Sequence, residues 1–361
     1  MIHKVRHVWT ISSFTMASIF ILGACSSREP KTAEMTGPNL ETILAEGPAE
    51  FLGDYHLFTD DAAHVPTPRV EKYELTNPLF SDYALKERFV YIPQGEAATY
   101  RDIRALDFPV GTVLAKTFSY APDLRTPEVD SYKIETRVLI HKASGWVAYP
   151  YIWNAAQNEA RYAPVGGRRE VSFIDPSGTD LSFTYGVPNA NQCKTCHQSG
   201  HAIEPIGPKG RNLNNVLENG NPQLDDWIEK GILQPIHGET SAVAALEDLN
   251  APLNDRARAY LDINCAHCHK PDGSASNSGL FLDYSQKEPV RFGINKHPTA
   301  AGRGAGNLNV VIDPGSPETS ILYYRMSHNE AGIAMPELGR SVTHKEGVDL
   351  IEQWIRSLSQ E

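Results

Sequence analysis

The chain is short of cysteine, of methionine and of long apolar runs, and each shortage narrows what it can be. Five cysteines stand among 361 residues, and four of them fall in two copies of one pattern, Cys193-Lys194-Thr195-Cys196-His197 and Cys265-Ala266-His267-Cys268-His269. Only Cys25 is left over, so a disulfide framework is excluded unless one of the motifs is broken. The apolar stretch from Ile11 to Leu22 is interrupted by small polar residues and is too short to cross a bilayer. Basic residues are also in the minority, 33 Lys and Arg against 44 Asp and Glu, for a net charge of −11. Such a surface argues against nucleic acid as a partner. What the chain has in quantity is core: 41% of its residues are hydrophobic, enough for two or three domains.

Both motifs read as CxxCH, the attachment pattern for covalent haem. The spacing has a chemical reason. Two thiols one helical turn apart can each add to a haem vinyl group, and the following residue supplies an imidazole to the iron. A zinc site would normally bring its two CxxC halves about 15–20 residues apart and needs no His after both. A thioredoxin-like dithiol needs a βαβ setting, which the pattern here does not offer. Two covalently bound haem c groups are therefore expected, on Cys193, Cys196 and His197 and on Cys265, Cys268 and His269.

Lys4 and Arg6 precede the apolar run, which ends in Leu22-Gly23-Ala24-Cys25. This is the layout of a secretory signal with a small-residue cleavage site. Its last four residues resemble the lipobox of bacterial lipoproteins, in which the cysteine becomes the lipidated first residue, and Ser26 after it slightly favours the outer membrane. Residues 1–24 are thus expected to be a signal peptide and residues 25–39 a polar tether from a lipid anchor. Export agrees with the haem motifs, since covalent haem attachment in bacteria takes place outside the cytoplasm.

Further on, the periodicity changes. A short helix is expected over Leu40–Ala45. Tyr132, Ile134, Thr136, Val138 and Ile140 alternate with Lys133, Glu135, Arg137 and His141, which predicts a strand with one wet face. A turn at Lys142–Gly145 leads to Trp146–Trp153, and Asp175-Pro176-Ser177-Gly178 separates Val171–Ile174 from Leu181–Val187, so both read as hairpins. With Phe89–Ile92 and Val113–Tyr120, residues 40–188 form a mainly antiparallel β region. Its aromatics Trp146, Tyr149, Tyr151 and Trp153 are expected in the core rather than on a ligand platform. Asp54, Tyr55, His56, Asp60, Asp61 and His64 read as a solvated loop in preference to a metal site.

Residues 189–250 carry the first haem motif, a helix begun at Asn221-Pro222, and a helical stretch over Ser241–Leu249. Residues 251–361 carry the second. Ala257, Tyr260, Leu261 and Asn264 fall on one helical face running into Cys265. Ser316-Pro317-Glu318 reads as a helix start leading into Ile321, Leu322 and Tyr324, and Ile351, Trp354, Ile355 and Leu358 make an amphipathic stripe. The expected fold class is α+β multidomain, a mainly antiparallel β domain followed by α-helical cytochrome c-like haem domains.

A second axial ligand has to be a thioether or an imidazole. After the second motif Met335, extended by Pro336, is favoured over Met326, which continues a helical run. After the first motif there is no methionine before Met326. His201 is too close in sequence to reach round the ring, and His237, a His from the β region or an open sixth position remain as alternatives.

At these residues a resemblance can be named. The second unit, with Asp313-Pro314-Gly315-Ser316-Pro317-Glu318 and Met335-Pro336, looks like the small cytochrome c domains appended to bacterial exported proteins. The mature chain over about residues 40–358, with Leu79-Phe80-Ser81-Asp82-Tyr83-Ala84, Phe108-Pro109-Val110-Gly111-Thr112 and Trp153-Asn154, resembles a family of uncharacterised proteobacterial dihaem c-type cytochrome lipoproteins. The resemblance implies a lipid-anchored protein on the periplasmic face of the cell envelope that exchanges single electrons with redox partner proteins. The alternative is a dihaem peroxidase or oxidase with an open position on the first haem.

Overall fold

The computed structural model describes Met1 and residues 37–359, and the residues from 37 onward belong to one compact unit. Cys25 and the rest of the expected signal segment lie outside the described residues. Among the described residues no helix is long and apolar enough to cross a membrane.

The chain begins with a short helix, α1 (Leu40–Leu44), capped by Asn39, whose Oδ1 accepts a hydrogen bond from Thr42 N at 3.2 Å. Two short strands, β1 (Phe58–Asp60) and β2 (Val65–Pro66), pair with each other. Then comes the central sheet: β3 (Val70–Lys72), β4 (Leu85–Tyr91), β5 (Val113–Tyr120), β6 (Tyr132–Lys142), β7 (Gly145–Trp153) and β8 (Ala160–Tyr162). These six strands lie in sequence order and every pair is antiparallel. A separate hairpin follows, β9 (Gly167–Ile174) with β10 (Asp180–Val187). Its turn is built by Asp175, whose Oδ1 accepts from Ser177 N and Thr179 N at 2.9 Å, and Gly178 takes the left-handed φ of +85° that the turn requires. The second expected hairpin forms between β6 and β7, where Gly145 has a φ of +108°.

The alternation in β6 is real, but its expected wet face is covered. Thr136, Val138 and Ile140 face a core completed by Ile43, Leu52, Tyr55 and Phe58. On the opposite face Glu135 is fully buried and Leu139 packs with Leu114, Leu213, Leu224 and Trp227. The cover comes from sequence-distant segments, so a local pattern could not announce it. The β9–β10 hairpin closes the far end of the same face, with Phe173 and Tyr185 packed against Phe118, Tyr120 and Ile134.

Beyond the sheet the elements are short: α2 (Ala190–His197), a small hairpin of β11 (Gln198–Ser199) and β12 (Ala202–Ile203), α3 (Gly210–Leu213), α4 (Gln223–Glu229), α5 (Leu253–Asn264), α6 (Pro289–Phe292), α7 (Ile321–Ser327) and α8 (Lys345–Ser357). Ser241–Leu249 is not helical. Asn77 takes its backbone instead, donating from Nδ2 to Ala244 O at 2.7 Å and accepting from Leu246 N at 2.9 Å. Ser316-Pro317-Glu318 opens a single 3₁₀ turn, and α7 starts only after it.

The fold class expected from the sequence is therefore corrected. Among the described residues the architecture is β-rich, twelve strands in antiparallel sheets with eight short helices, and no helical cytochrome c-like domain forms. Apolar stripes on α5 and α8 do meet in a core of Leu261, Ile312, Ile351, Trp354 and Ile355. That core is not a separate body. Asp82 Oδ1 accepts from the amides of Ser341 and Val342 at 2.6 and 2.9 Å, Asn264 Oδ1 accepts from Phe80 N at 2.8 Å, and Lys345 Nζ donates to Asp175 at 3.0 Å. These bonds fasten the C-terminal elements to the sheet.

Candidate functional site

Each motif is delivered by a helix end. For the first, Asn189 and Gln192 make reciprocal side-chain to backbone bonds of 2.9 Å that start α2, and Cys193 and Cys196 follow on it one turn apart. His197 is the last residue of α2. The β11–β12 hairpin then doubles back, so that Glu204 O accepts from His197 Nδ1 at 2.7 Å. A carbonyl cannot donate, so the proton sits on Nδ1 and Nε2 keeps its lone pair.

The second motif reaches the same state by another route. Cys265 caps α5, and Cys268 N and His269 N both donate to Cys265 O, at 3.1 and 2.9 Å. Ser278 Oγ donates its own proton to Ala275 O at 2.7 Å and so receives one from His269 Nδ1 at 3.3 Å. Nε2 is again left as an acceptor. Burial pushes both imidazoles down to about 4, so both are neutral donors of a lone pair at pH 7.

The thiols of all four motif cysteines are free. Burial holds them protonated: it raises Cys196 to about 11, with the neighbouring Cys268 adding to the effect, and Cys265 to about 12. Among the described residues no group of three or more His, Cys, Asp or Glu side chains is placed to hold a metal ion.

The second motif lines a cavity of about 400 Å³, together with Tyr260, Met326 and Met335. Cys196 of the first motif lines it as well. Arg340 donates from Nη1 to Met326 O and to Met335 O, both at 2.8 Å, and so fixes the two methionine backbones on this wall. Met326 is buried in the helical core, and Met335 is half-buried in the loop that follows. Arg340 Nε is buried with no hydrogen-bond partner. An apolar cavity with a neutral imidazole, a thioether and one unsatisfied arginine N–H on its walls fits a porphyrin bearing carboxylates.

His197 faces a different cavity, of about 70 Å³, between the loop Pro205–Pro208 and the sheet residues Arg88, Leu114, Lys116 and Leu139. Of the first motif only His197 lines it, and its volume does not admit a porphyrin ring. His237 and His201 are both exposed and line neither cavity. The two motifs are held side by side: Asp272 takes Ser199 Oγ at 2.6 Å and Gly200 N at 2.8 Å, while Asp262 of α5 pairs with Lys209 at 2.7 Å and Arg211 at 3.3 Å.

Sequence reading missed Ser278, the Glu204 carbonyl and the sheet cations Arg88 and Lys116. The last two left a signal, since Lys86, Arg88, Lys116 and Arg137 all stand at period-two positions of one sheet face. In the Asp54–His64 region His64 is buried beside Phe58, ring centroids 4.8 Å apart, and its Nδ1 meets Glu87 at 2.8 Å. Trp153 is a core residue whose Nε1 donates to Thr136 Oγ1 at 3.0 Å.

No family model, no curated protein and no solved structure matches the chain. The resemblance to a family of dihaem cytochrome lipoproteins is accordingly corrected: its helical haem domain does not form, no metal-holding cluster is found among the described residues, and no relative supports it.

Proposed function

We propose that the chain is an exported, lipid-anchored carrier of two covalently attached haems that passes single electrons between partner proteins of the cell envelope. The observation that carries this reading is the pair of CxxCH histidines, each with Nδ1 tied down and Nε2 free toward a cavity. Bound haem iron would supply one-electron chemistry. The chain's own residues do the rest. Cys193 and Cys196, and Cys265 and Cys268, provide the thioether anchors. His197 and His269 provide imidazole ligands held in one tautomer by Glu204 O and Ser278 Oγ, which also makes them better donors. Met335 offers a thioether on the wall of the larger cavity, and thioether ligation raises the reduction potential relative to two imidazoles.

Side-by-side motifs favour exchange of charge between the two centres. Lipid attachment at Cys25 would keep the carrier at the membrane surface, with the outer membrane slightly favoured, and its acidic charge would select basic partners at low salt. A second reading, turnover of a small oxidant such as peroxide, has one observation behind it: the cavity facing His197 offers neither a methionine nor a second histidine.

Mass spectrometry of the denatured, acid-extracted protein tests the reading. Retention of two haem masses supports it, and a mass equal to the apoprotein plus lipid overturns it. Peroxide turnover far above that of free haem would replace carriage by catalysis. Palmitate labelling that disappears in Cys25→Ser checks the anchor.

A further inference from the structure

The stretch between β3 and β4 carries two consecutive residues in the left-handed region, Asp82 at a φ of +52° and Tyr83 at +59°. Neither is glycine, and a side chain as bulky as Tyr adopts that conformation only where its surroundings impose it. Tyr120 of β5 supplies one constraint, donating from its hydroxyl to Asp82 O at 2.9 Å. The others all lead to the C-terminal elements. Asp82, 3% exposed, takes the amides of Ser341 and Val342 on Oδ1 at 2.6 and 2.9 Å. Tyr83 donates to Glu346 at 2.7 Å and accepts from Lys345 N at 3.2 Å, in the first turn of α8. Backbone strain that a fold maintains gathers where placement matters to function, and here both strained side chains are spent on one end of one loop.

That loop carries Met335. Five residues further on, Arg340 closes it against the end of α7: Nη1 donates to Met326 O and Met335 O, both at 2.8 Å, and Nη2 donates to His328 O. Ser341, the next residue, is the first that Asp82 grips. The same sheet segment also reaches the second motif. Phe80 N donates at 2.8 Å to Oδ1 of Asn264, which directly precedes Cys265, and the Phe80 ring stacks on His344 with centroids 4.1 Å apart. Phe80, Cys265, His269, Met335 and Arg340 line one cavity. One strained segment therefore grips both the start of the second motif and the loop that bears the thioether, so the β region fixes how the two stand to each other.

We propose that Phe80, Asp82 and Tyr83 are positioning residues, a clasp that presents Met335 as axial ligand to the haem attached at Cys265 and Cys268, with Arg340 carrying the placement of Ser341 on to the methionine backbone. This rests on the haem reading above. It gives the β region a part in the electron-carrying site: the region holds the thioether at the cavity and thereby sets how far the second couple is raised. Asp82 does this as the acceptor of two amides and not as a charge. The two roles have opposite signs. Losing the clasp lets the thioether withdraw, and its loss as a ligand favours the oxidised form, whereas losing a nearby negative charge favours the reduced form.

The test uses the full-length haem-bearing protein with Asp82→Ala, Asp82→Asn and Arg340→Lys, and Asp82→Ala also in a Met335→Ala background. In Asp82→Ala, spectroelectrochemical titration is expected to show the couple that Met335→Ala moves shifted about tenfold toward the oxidised form, about 59 mV for a one-electron couple, with the other couple unmoved. The near-infrared iron–thioether charge-transfer band of the oxidised protein is lost with it. Asp82→Asn, whose Oδ1 still accepts both amides, keeps the native couple and band. In the Met335→Ala background Asp82→Ala adds no further shift, because both changes act through one ligand. Arg340→Lys keeps the charge and loses the fork; it is expected to follow Asp82→Ala and decides the question where Asp82→Ala does not fold. An unmoved couple in Asp82→Ala, or in Arg340→Lys standing in for it, overturns the proposal. So does an equal shift of Asp82→Ala and Asp82→Asn toward the reduced form, which would mean a charge effect, and so does a shift that adds to that of Met335→Ala. Wild-type protein without covalent haem removes the haem reading, and the clasp with it. A couple that answers to Met335→Ala and ignores the clasp variants removes the clasp alone.

Discussion

The two motif regions share a pattern of five residues and little else. The second sits in an apolar cavity of about 400 Å³ with two methionines on its wall. The first faces about 70 Å³ bounded by a proline-rich loop and a row of sheet cations. The difference teaches that one five-residue pattern can stand in two unlike settings, because its surroundings come from whichever element lies across from it. A helical core supplies thioether and apolar surface, and the sheet supplies fixed charge. Two centres in one chain thereby acquire different environments without any difference in the motif.

This comparison can be broken outright by removing the anchors. Cys265→Ser with Cys268→Ser is expected to cost one haem mass and leave the first centre's spectrum intact, and Cys193→Ser with Cys196→Ser the reverse, both read by mass spectrometry. If either pair removes both haems, the regions are not separable. Next in size is the staple between them. Asp262→Ala strands Lys209 and Arg211, 13% and 3% exposed at the side chain, and should cost about 3–5 kcal/mol in urea unfolding, as removal of one partner from a buried pair does.

Beside the motif imidazoles, the wall of the larger cavity carries a further titrating group. His344 is stacked on Phe80, ring centroids 4.1 Å apart, and hydrogen-bonded with the Tyr260 hydroxyl at 3.1 Å; burial pushes it down to about 4. A histidine whose folded value lies below its unfolded one is bound by more protons when the chain unfolds. Its contribution is complete above about pH 6.5 and is lost as pH falls toward 4. Stability should therefore drop across that window, and His344→Phe should remove part of a slope that His197 and His269 share. An unchanged slope would place the titration elsewhere.

Met335→Ala is expected to shift the second couple about tenfold toward the oxidised form, about 59 mV, while Met326→Leu leaves it in place. The opposite result exchanges the two methionines. The smallest effect distinguishes how the two imidazoles are held. Ser278→Ala removes the acceptor from His269 Nδ1 and should cost about 1 kcal/mol in thermal unfolding, whereas His197 leans on a backbone carbonyl that no side-chain replacement deletes.

Much of this was written in local pattern. A period-two run marked β6, the turns at Lys142–Gly145 and Asp175–Gly178 marked the β6–β7 and β9–β10 hairpins, and the stripes of α5 and α8 were visible at helical spacing. What local pattern could not carry was anything decided by partners far along the chain. The second face of β6 read as wet because Leu213, Leu224 and Trp227, which cover it, lie some seventy or more residues later. Ser241–Leu249 had helical composition, but Asn77 claimed its backbone groups first. The helical domain expected after the sheet failed for the same reason, since the Leu79–Ala84 segment holds the C-terminal elements against the sheet.

Cys193 is 7% exposed, on a helix that packs against β7 of the sheet. On the haem reading, that burial would set an order of events: a group joined to this sulfur would have to arrive while the chain is still open. A thiol reagent added to the folded protein is expected to react slowly here.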